Sequence, residues 1–391
     1  MLSLFSQKLL STISPPSLLL DLDAFDENCR QIASRASGKK IRIASKSIRS
    51  VPVLKRILES NPVYQGVMSF SPHEAIFLAE RGFDDILMGY PCWDKTALLK
   101  IAQMKKSRIT LMVDSTEHID YLEKIVEEAA GKLYLCMDMD MSTSFPGLHF
   151  GVRRSPIKNE HDALHLAERI RRCPRLELIG VMGYEAQIAG VGDRVPTQQL
   201  KNKLITYLKE KSISEIQSRR QKIIEALLKE GFPLSLVNGG GTGSLHTTTT
   251  EKHVTEVTVG SGFYSPLLFD YYKDFRYKPS LFFALPIVRK PTPQIYTCLG
   301  GGYIASGSTG KDKEPKPVFP PGGKLLSLEG AGEVQTPVFF EKETLEIGDA
   351  IVFRAAKAGE ICERFNEIIC LSKQEIVDQY QTYRGEGVCF L

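Results

Sequence analysis

The sequence lacks the features that mark membrane, nucleic-acid-binding and disulfide-rich proteins. No apolar run approaches the roughly 20 residues that span a bilayer, and the first residues, broken by Pro15 and Pro16, lack the charged segment and apolar core of a signal peptide. The net charge is only +4 over 391 residues, so no nucleic-acid or membrane partner is expected. The eight cysteines form no C-x-x-C pair, which favours reduced thiols in the cytoplasm over zinc fingers or disulfides.

The residues that are present are those of a globular α/β protein with a sizeable core. Hydrophobic residues make up 42% of the chain, enough for one large domain and a smaller one. Short β-rich runs alternate with helical patterns through the first two thirds of the sequence, and the runs are Leu18–Asp23, Ile41–Ser45, Gly66–Ser69, Asp85–Gly89, Ile109–Asp114, Leu133–Asp138, Leu178–Tyr184, Leu234–Asn238 and Thr255–Gly260. This alternation predicts βα units and a parallel sheet.

The number of runs favours a closed barrel over an open sheet. With the first run taken as a lead-in, about eight remain, the number that closes a (β/α)8 TIM-type barrel. An open doubly wound sheet is the competing architecture, but no G-x-G-x-x-G follows the early strands. The helix between the seventh and eighth runs of the full series is predicted over Ile213–Glu230.

The alternation of β-rich runs and helical patterns ends after Tyr272. Residues 278–323 are dominated by proline, glycine and lysine, and short alternating segments follow at Lys324–Leu328, Pro337–Phe340, Ala350–Phe353 and Glu367–Leu371. This pattern predicts a C-terminal antiparallel β domain. The predicted organisation is a lead-in over residues 1–24 that packs with the β domain, a barrel over 25–275 and a β domain over 276–391.

Lys46 stands out by its position. It follows the predicted strand Ile41–Ser45, and in a barrel the residues at the carboxyl ends of the strands face the active site. A lysine there is a candidate imine-forming amine. A solvated lysine at the end of a strand is the alternative.

Two glycine-rich turns follow the last two predicted barrel strands. The first is the run Asn238–Ser244, which reads NGGGTGS, and the second is Gly260–Tyr264, which reads GSGFY. Glycines allow backbone N–H groups to converge on an anion, and serine and threonine add hydroxyl donors. The alternative is a flexible turn that needs positive φ. Because barrels commonly bind phosphate after their last strands, a phosphate site near Lys46 is predicted, and a phosphorylated aldehyde cofactor would use both features.

Together these motifs resemble the fold-type III pyridoxal phosphate enzymes. Lys46 in SKSIR, the run Gly180–Glu185 (GVMGYE), both glycine turns and the ending Tyr383–Leu391 are similar, in order, to the D-threonine aldolase/D-serine dehydratase branch, of the amino acid deaminase/aldolase type. The resemblance covers nearly the whole chain. It implies an alanine racemase-like barrel with a C-terminal β domain.

The resemblance also implies the cofactor and its contacts. Lys46 would hold pyridoxal 5′-phosphate as a Schiff base, Tyr184 would lie against the pyridine ring, and His149 stands where relatives carry an arginine near the phenolic oxygen. A packing histidine is the alternative for His149. The other cofactor-binding residues implied are Gly240, Gly241, Thr242, Gly243, Gly260, Ser261, Gly262 and Tyr264.

A divalent metal is implied as well. Relatives carry His-x-Cys or His-x-Asp in the β domain, and here Glu360 replaces the histidine whereas Cys362 keeps the pattern. A carboxylate and a thiolate can bind Zn²⁺ or Mn²⁺. A half-buried structural cysteine is an equally good interpretation of Cys362.

The expected function is that of a pyridoxal phosphate-dependent lyase acting on D-configured β-hydroxy amino acids, by aldol cleavage or by dehydration. An amino acid racemase is an alternative, although no match to its second base is evident beyond the available Tyr296 and Tyr303. A non-catalytic cofactor-binding protein and a barrel enzyme using Asp114, Asp138 and Asp140 are the others. Relatives often place the β domain of one subunit over the site of another, so a homodimer is expected.

Overall fold

The computed structural model describes residues 4–196, 198–308 and 310–391. Its strands are β1 (Ser17–Asp21), β2 (Lys40–Ala44), β3 (Tyr64–Ser69), β4 (Asp85–Met88), β5 (Arg108–Val113), β6 (Leu133–Asp138), β7 (Thr143–Phe145), β8 (Leu148–Phe150), β9 (Leu176–Gly183), β10 (Leu236–Gly239), β11 (Glu256–Val259), β12 (Leu281–Thr292), β13 (Ile295–Leu299), β14 (Lys316–Phe319), β15 (Lys324–Leu325), β16 (Gln335–Phe339), β17 (Ala350–Arg354), β18 (Glu367–Ser372) and β19 (Glu375–Gln381). The helices are α1 (Gln7–Leu10), α2 (Leu22–Ser34), α3 (Val51–Ser60), α4 (Pro72–Glu80), α5 (Lys95–Gln103), α6 (Thr116–Ala129), α7 (Glu160–Arg171), α8 (Ala186–Ala189), α9 (Gln199–Lys229) and α10 (Leu245–Thr248).

A closed parallel barrel forms the larger part of the molecule. Its strands follow the order β2-β3-β4-β5-β6-β9-β10-β11, and β11 pairs back with β2 through Val257 opposite Ile41. Helices connect successive strands, as the sequence predicted. The predicted fold class is confirmed by this barrel together with the separate antiparallel sheet.

Local sequence explains where the helices of the barrel begin. Ser71, Asp94, Ser115 and Asn159 each precede a helix, and each side chain accepts a hydrogen bond from a backbone N–H in the first turn. Such N-caps satisfy donors that otherwise lack a partner inside the helix. The caps therefore fix the points at which strand-end loops turn into helices.

The interior of the barrel is filled, which leaves the active-site end as the open one. A cluster of apolar side chains from five neighbouring strands packs inside it: Leu87, Met112, Cys136, Met182 and Leu236. Near the start of the strands, the buried guanidinium of Arg42 pairs with Glu256 at 2.6 Å and Asp85 at 3.0 Å. A buried charge needs such partners, and the three side chains fill that end of the barrel.

The second sheet is mostly antiparallel and incorporates the first strand of the chain. Its order is β15-β16-β13-β12-β1-β18-β19, with β17 pairing β12 and β14. β1 runs antiparallel to β12 and parallel to β18. Of the predicted lead-in, residues 1–3 lie outside the described part of the chain. Leu10 and Phe5 pack with Phe282 of β12 in a separate apolar cluster.

Several elements differ from the sequence-based expectation, and a helix and a strand show this most clearly. The helix predicted from Ile213 is α9, which begins at Gln199. The strand β12 lies within residues 278–323, where the sequence analysis predicted no strand. Pro286 and Pro291 interrupt its sequence, and Leu281 to Leu285 are buried without alternation. No helix in the described ranges combines the length and hydropathy needed to cross a membrane.

Candidate active site

A cavity of about 500 Å³ opens at the carboxyl ends of the barrel strands. Both the barrel and the β domain supply its walls. The predicted site residues that line it are Lys46, Tyr184, Gly240, Gly241, Thr242, Gly260, Ser261 and Glu360. The structure therefore brings the lysine after the first barrel strand and the two glycine turns after the last two strands into one cavity.

Lys46 reaches the cavity through a short 3₁₀ turn, Ser45–Ser47, that follows β2. The strand itself is buried apart from its first residue, whereas the lysine side chain is exposed in the cavity. Its Nζ donates a hydrogen bond of 2.9 Å to the hydroxyl of Tyr90. Burial alone would raise the pKa of the Tyr90 phenol, but the nearby ammonium of Lys46 and the guanidinium of Arg154 together lower it.

Arg154 is a cavity residue that the sequence analysis missed. Its guanidinium carbon lies 5.6 Å from the ring centroids of both Tyr90 and Tyr184, a cation–π arrangement that holds the two rings around it. His149 belongs to the β7–β8 hairpin and does not line the cavity. Its buried Nε2 has no hydrogen-bond partner among the described residues. The basic pair that follows the hairpin is the signal that would have indicated Arg154.

The glycine turns approach their neighbours too closely for any other residue. A Cβ on Gly260 would lie 2.7 Å from Ser47 Oγ, and one on Gly241 would lie 2.8 Å from the Cβ of Ala189. Gly240 has φ of +75°, which favours glycine. These residues allow the two turns to face each other across the cavity.

Hydroxyl groups cluster where the turns meet. The hydroxyls of Ser47 and Ser261 lie 3.2 Å apart, and Thr242 Oγ1 accepts a 3.2 Å hydrogen bond from the backbone N–H of Gly262. Gly262 and Gly243 support the turns without lining the cavity. Tyr264 is fully buried, and its hydroxyl donates to the carbonyl of Ile48.

A buried ion-pair network supports the first glycine turn from behind. Glu185 Oε2 accepts a 2.7 Å hydrogen bond from the N–H of Gly240, and Oε1 accepts one of 3.2 Å from Thr248. The same carboxylate pairs with the fully buried Arg220, which also pairs with Glu251. The amide of Gly240 is therefore used to fix the turn and is not a donor for an anion in the cavity.

These residues fit pyridoxal phosphate. The cavity holds an amine that can bond to an aldehyde, an aromatic ring at Tyr184 that can cover a pyridine, and the hydroxyls of Ser47, Thr242 and Ser261 in a cradle that a Cβ on Gly260 would disturb. Phosphate needs several donors on closely approaching backbone, which the two turns provide. Ser47 is the member of this set that the sequence analysis did not identify.

The two residues predicted to bind a metal do not form a metal site. Cys362 is 1% exposed and does not line the cavity, and burial raises the pKa of its thiol to about 12. Glu360 lines the cavity, but its two oxygens accept hydrogen bonds of 2.8 and 2.6 Å from the N–H and hydroxyl of Ser306. No group of three or more potential metal-binding side chains occurs in the described part of the chain. Because Cys362 lies outside the cavity and both oxygens of Glu360 are hydrogen-bonded to Ser306, this donor pair does not fit a divalent ion in the cavity.

Three polar residues of the β domain complete the wall: Ser306, Lys357 and Glu360. Lys357 Nζ donates to the carbonyl oxygen of Ser306 at 2.7 Å and to its Oγ at 3.0 Å. Burial lowers the pKa of Lys357, while the carboxylate of Glu360 opposes that change. Neither Ser306 nor Lys357 carried a signal in the sequence.

A closed parallel barrel with a lysine after its first strand and glycine turns after its last two defines the alanine racemase-like class. The family model described as "Alanine racemase, N-terminal domain" matches residues 20–266. The chain belongs to this family.

An aldolase is among the relatives that match this chain by sequence. The chain is 24% identical to a 3-hydroxy-D-aspartate aldolase of Paracoccus denitrificans (strain Pd 1222) over 255 residues, which cover 64% of this chain and 60% of the relative. The match thus spans less than two thirds of that relative's length.

Two solved structures share the fold. The D-threonine aldolase of Filomicrobium marinum superposes with a TM-score of 0.82 at 17% identity, covering 97% of this chain and 96% of its own. The D-threo-3-hydroxyaspartate dehydratase of Delftia sp. HT23 gives a TM-score of 0.76 at 17% identity, covering 95% and 98%. At these identities the similarity concerns the fold.

Proposed function

We propose that the protein is a pyridoxal phosphate-dependent lyase that acts on D-configured β-hydroxy amino acids, by aldol cleavage or by dehydration. The observation that carries the proposal is the placement of Lys46 and the two glycine turns in one cavity. The names of the relatives, which are aldolases and a dehydratase for D-amino acids, support the choice of reaction and substrate class.

The cofactor, when bound, supplies an electron sink for the α-carbon of an amino acid joined to it. Lys46 would hold its aldehyde carbon, and the hydroxyls of Ser47, Thr242 and Ser261 would hold its phosphate. Tyr184 and Arg154 would limit how the ring lies, because the guanidinium is fixed 5.6 Å from the Tyr184 ring centroid. Tyr90 receives the 2.9 Å hydrogen bond from Lys46 and therefore orients that amine before reaction.

The racemase alternative would need a second base such as a β-domain tyrosine, and of the two candidates Tyr296 is fully buried. The tyrosines that line the cavity are Tyr90, Tyr184 and Tyr272, all from the barrel part of the described chain. The hydroxyl of Tyr296 is committed to the carbonyls of Pro293 and Glu343, at 3.1 and 3.0 Å. A second base on the opposite face is thus not supplied by Tyr296.

The test is an absorbance spectrum of the purified protein and of Lys46→Ala, with turnover assays on D-threonine, D-serine and D-3-hydroxyaspartate and on their L-enantiomers. We expect a near-visible band from the bound cofactor and turnover of a D-substrate, both lost in Lys46→Ala. Lys40→Ala is the matched control, because Lys40 lies at the other end of the same strand, exposed, with its Nζ on the carbonyl of Pro62.

The proposal fails if the wild-type protein shows no such band after incubation with pyridoxal phosphate. It also fails if Lys46→Ala turns over D-substrates at the rate of the Lys40→Ala control.

A further inference from the structure

The β-domain wall contains a closed polar network around Lys357. Its ammonium donates to the carbonyl and hydroxyl oxygens of Ser306, and Ser306 in turn donates to both carboxylate oxygens of Glu360. The distance from Lys357 Nζ to Glu360 Oε1 is 3.8 Å. Each member therefore holds the next, and the ammonium is fixed at the cavity wall without a metal ion.

The other cationic side chains that line the cavity are engaged in contacts of other kinds. Arg49 pairs with Glu363 at 2.8 Å, and Arg154 lies between two tyrosine rings. Lys46 is the proposed attachment point of the cofactor. An ammonium has three N–H donors, and within the described structure Lys357 directs two of them to Ser306. The third makes no hydrogen bond to the described residues, with Glu360 Oε1 3.8 Å from Nζ, and Lys357 lines the cavity.

We propose that the Lys357 ammonium takes the place of the divalent ion that this branch of the family implies, and that it binds the β-oxygen of the substrate. This inference rests on the proposed function. A fixed cation that donates a hydrogen bond can stabilise negative charge on an oxygen as that charge develops. Such a group is needed here because Glu360 is hydrogen-bonded to Ser306, and Cys362 is buried and does not line the cavity.

The first test measures metal dependence of the purified holoenzyme. Bound metal is determined by inductively coupled plasma mass spectrometry, and turnover is measured before and after EDTA treatment and after addition of Zn²⁺ or Mn²⁺. We expect far less than one ion per chain and a rate that neither EDTA nor added ion changes. A stoichiometric ion whose removal stops turnover, with recovery on its return, would overturn the inference.

The second test replaces the ammonium. Lys357→Met should lower kcat/KM for the β-hydroxy substrate by roughly 100-fold, the loss typical of removing one oxyanion donor, whereas Lys357→Arg should recover part of it. Lys313→Met is the matched control, since Lys313 is a nearby lysine that pairs with Asp312 at 2.9 Å and does not line the cavity.

A binding measurement separates a role at the β-oxygen from a structural one. D-Alanine lacks the β-hydroxyl, so its dissociation constant, read from the change in cofactor absorbance, should differ by no more than about twofold between Lys357→Met and wild type. Equal losses for D-alanine binding and for turnover would overturn the inference. A wild-type protein that binds the cofactor but turns over no β-hydroxy D-amino acid would contradict the proposed function itself.

Discussion

The carboxylate behind the first glycine turn offers the sharpest test of how the fold positions the cofactor. Glu185→Gln keeps the size of the side chain but removes the charge that pairs with Arg220 and that accepts the N–H of Gly240. Glutamine keeps one acceptor oxygen and puts an amide NH2 in place of the other, and because both partners are buried, water cannot compensate for that change. We expect a lower free energy of unfolding and, as a separate effect, weaker binding of the cofactor through its phosphate.

The magnitudes follow from the burial of the network. Removing one partner of a buried ion pair costs about 3 to 5 kcal/mol, and because Arg220 keeps Glu251 the lower end applies. For 391 residues the unfolding entropy is roughly 0.8 kcal/mol/K, so about 3 kcal/mol lowers Tm by about 4 °C. The weakened hydrogen bond to Gly240 should raise the dissociation constant of pyridoxal phosphate about tenfold, the equivalent of roughly 1.4 kcal/mol.

The assay is thermal unfolding of the apoprotein together with titration of the apoprotein with pyridoxal phosphate, followed by absorbance. Glu251→Gln is the matched control, because Glu251 pairs with the same Arg220 and has no hydrogen bond to the glycine turn. It should lower Tm but change the dissociation constant by no more than about twofold. If both variants weaken cofactor binding equally, Glu185 does not position the turn, and the reasoning is refuted.

Two further predictions concern the strand ends. Burial, with Asp114 nearby, raises the pKa of Asp138 from 3.8 to about 7. The native state therefore holds a proton that the unfolded state releases. The stability that this proton contributes is fully present below about pH 4 and is lost as the pH rises through 7. Asp138→Asn should therefore gain stability over wild type above neutral pH, by at most roughly 4 kcal/mol in urea unfolding, and parallel pH profiles would contradict this. Gly260→Ala should displace Ser47, since its Cβ would lie 2.7 Å from Ser47 Oγ, and should reduce the cofactor absorbance per folded chain. If that variant binds as much cofactor per folded chain as the wild type, the turn accommodates the added methyl group and the prediction is wrong.

Much of the barrel was predictable because its signals are local. Each strand is a short apolar run bounded by turn residues, and several helices begin at a capping side chain such as Ser71 or Ser115. The strand β12 was not predictable, because its prolines resemble loop sequence and its pairing with β1 and β17 is settled by partners far away in the chain. Tertiary pairing overrides local propensity in such a strand.

The same division applies to the candidate site. Lys46 and the glycine turns follow predicted strands, so barrel topology alone places them at one end. Ser306 and Lys357 follow no such pattern, and the cavity includes them only because the folded chain carries their loops there. Sequence spacing contains no information on contacts of this kind, so the residues of the β-domain wall emerge only from the three-dimensional arrangement.

The barrel side and the β-domain side of the cavity are held in place by two different hydrogen-bond networks, so their contributions can be tested separately. The barrel wall is fixed by Glu185 and Arg220 behind the first glycine turn, whereas the β-domain wall is fixed by hydrogen bonds among Ser306, Lys357 and Glu360. Because no partner is shared, a change in one network should leave the other intact. Loss of Glu185 should therefore appear in cofactor affinity, and loss of Lys357 in turnover of a hydroxylated substrate. On the two proposals made above, the barrel wall would hold the cofactor, and Lys357 of the β-domain wall would bind the β-oxygen of the substrate.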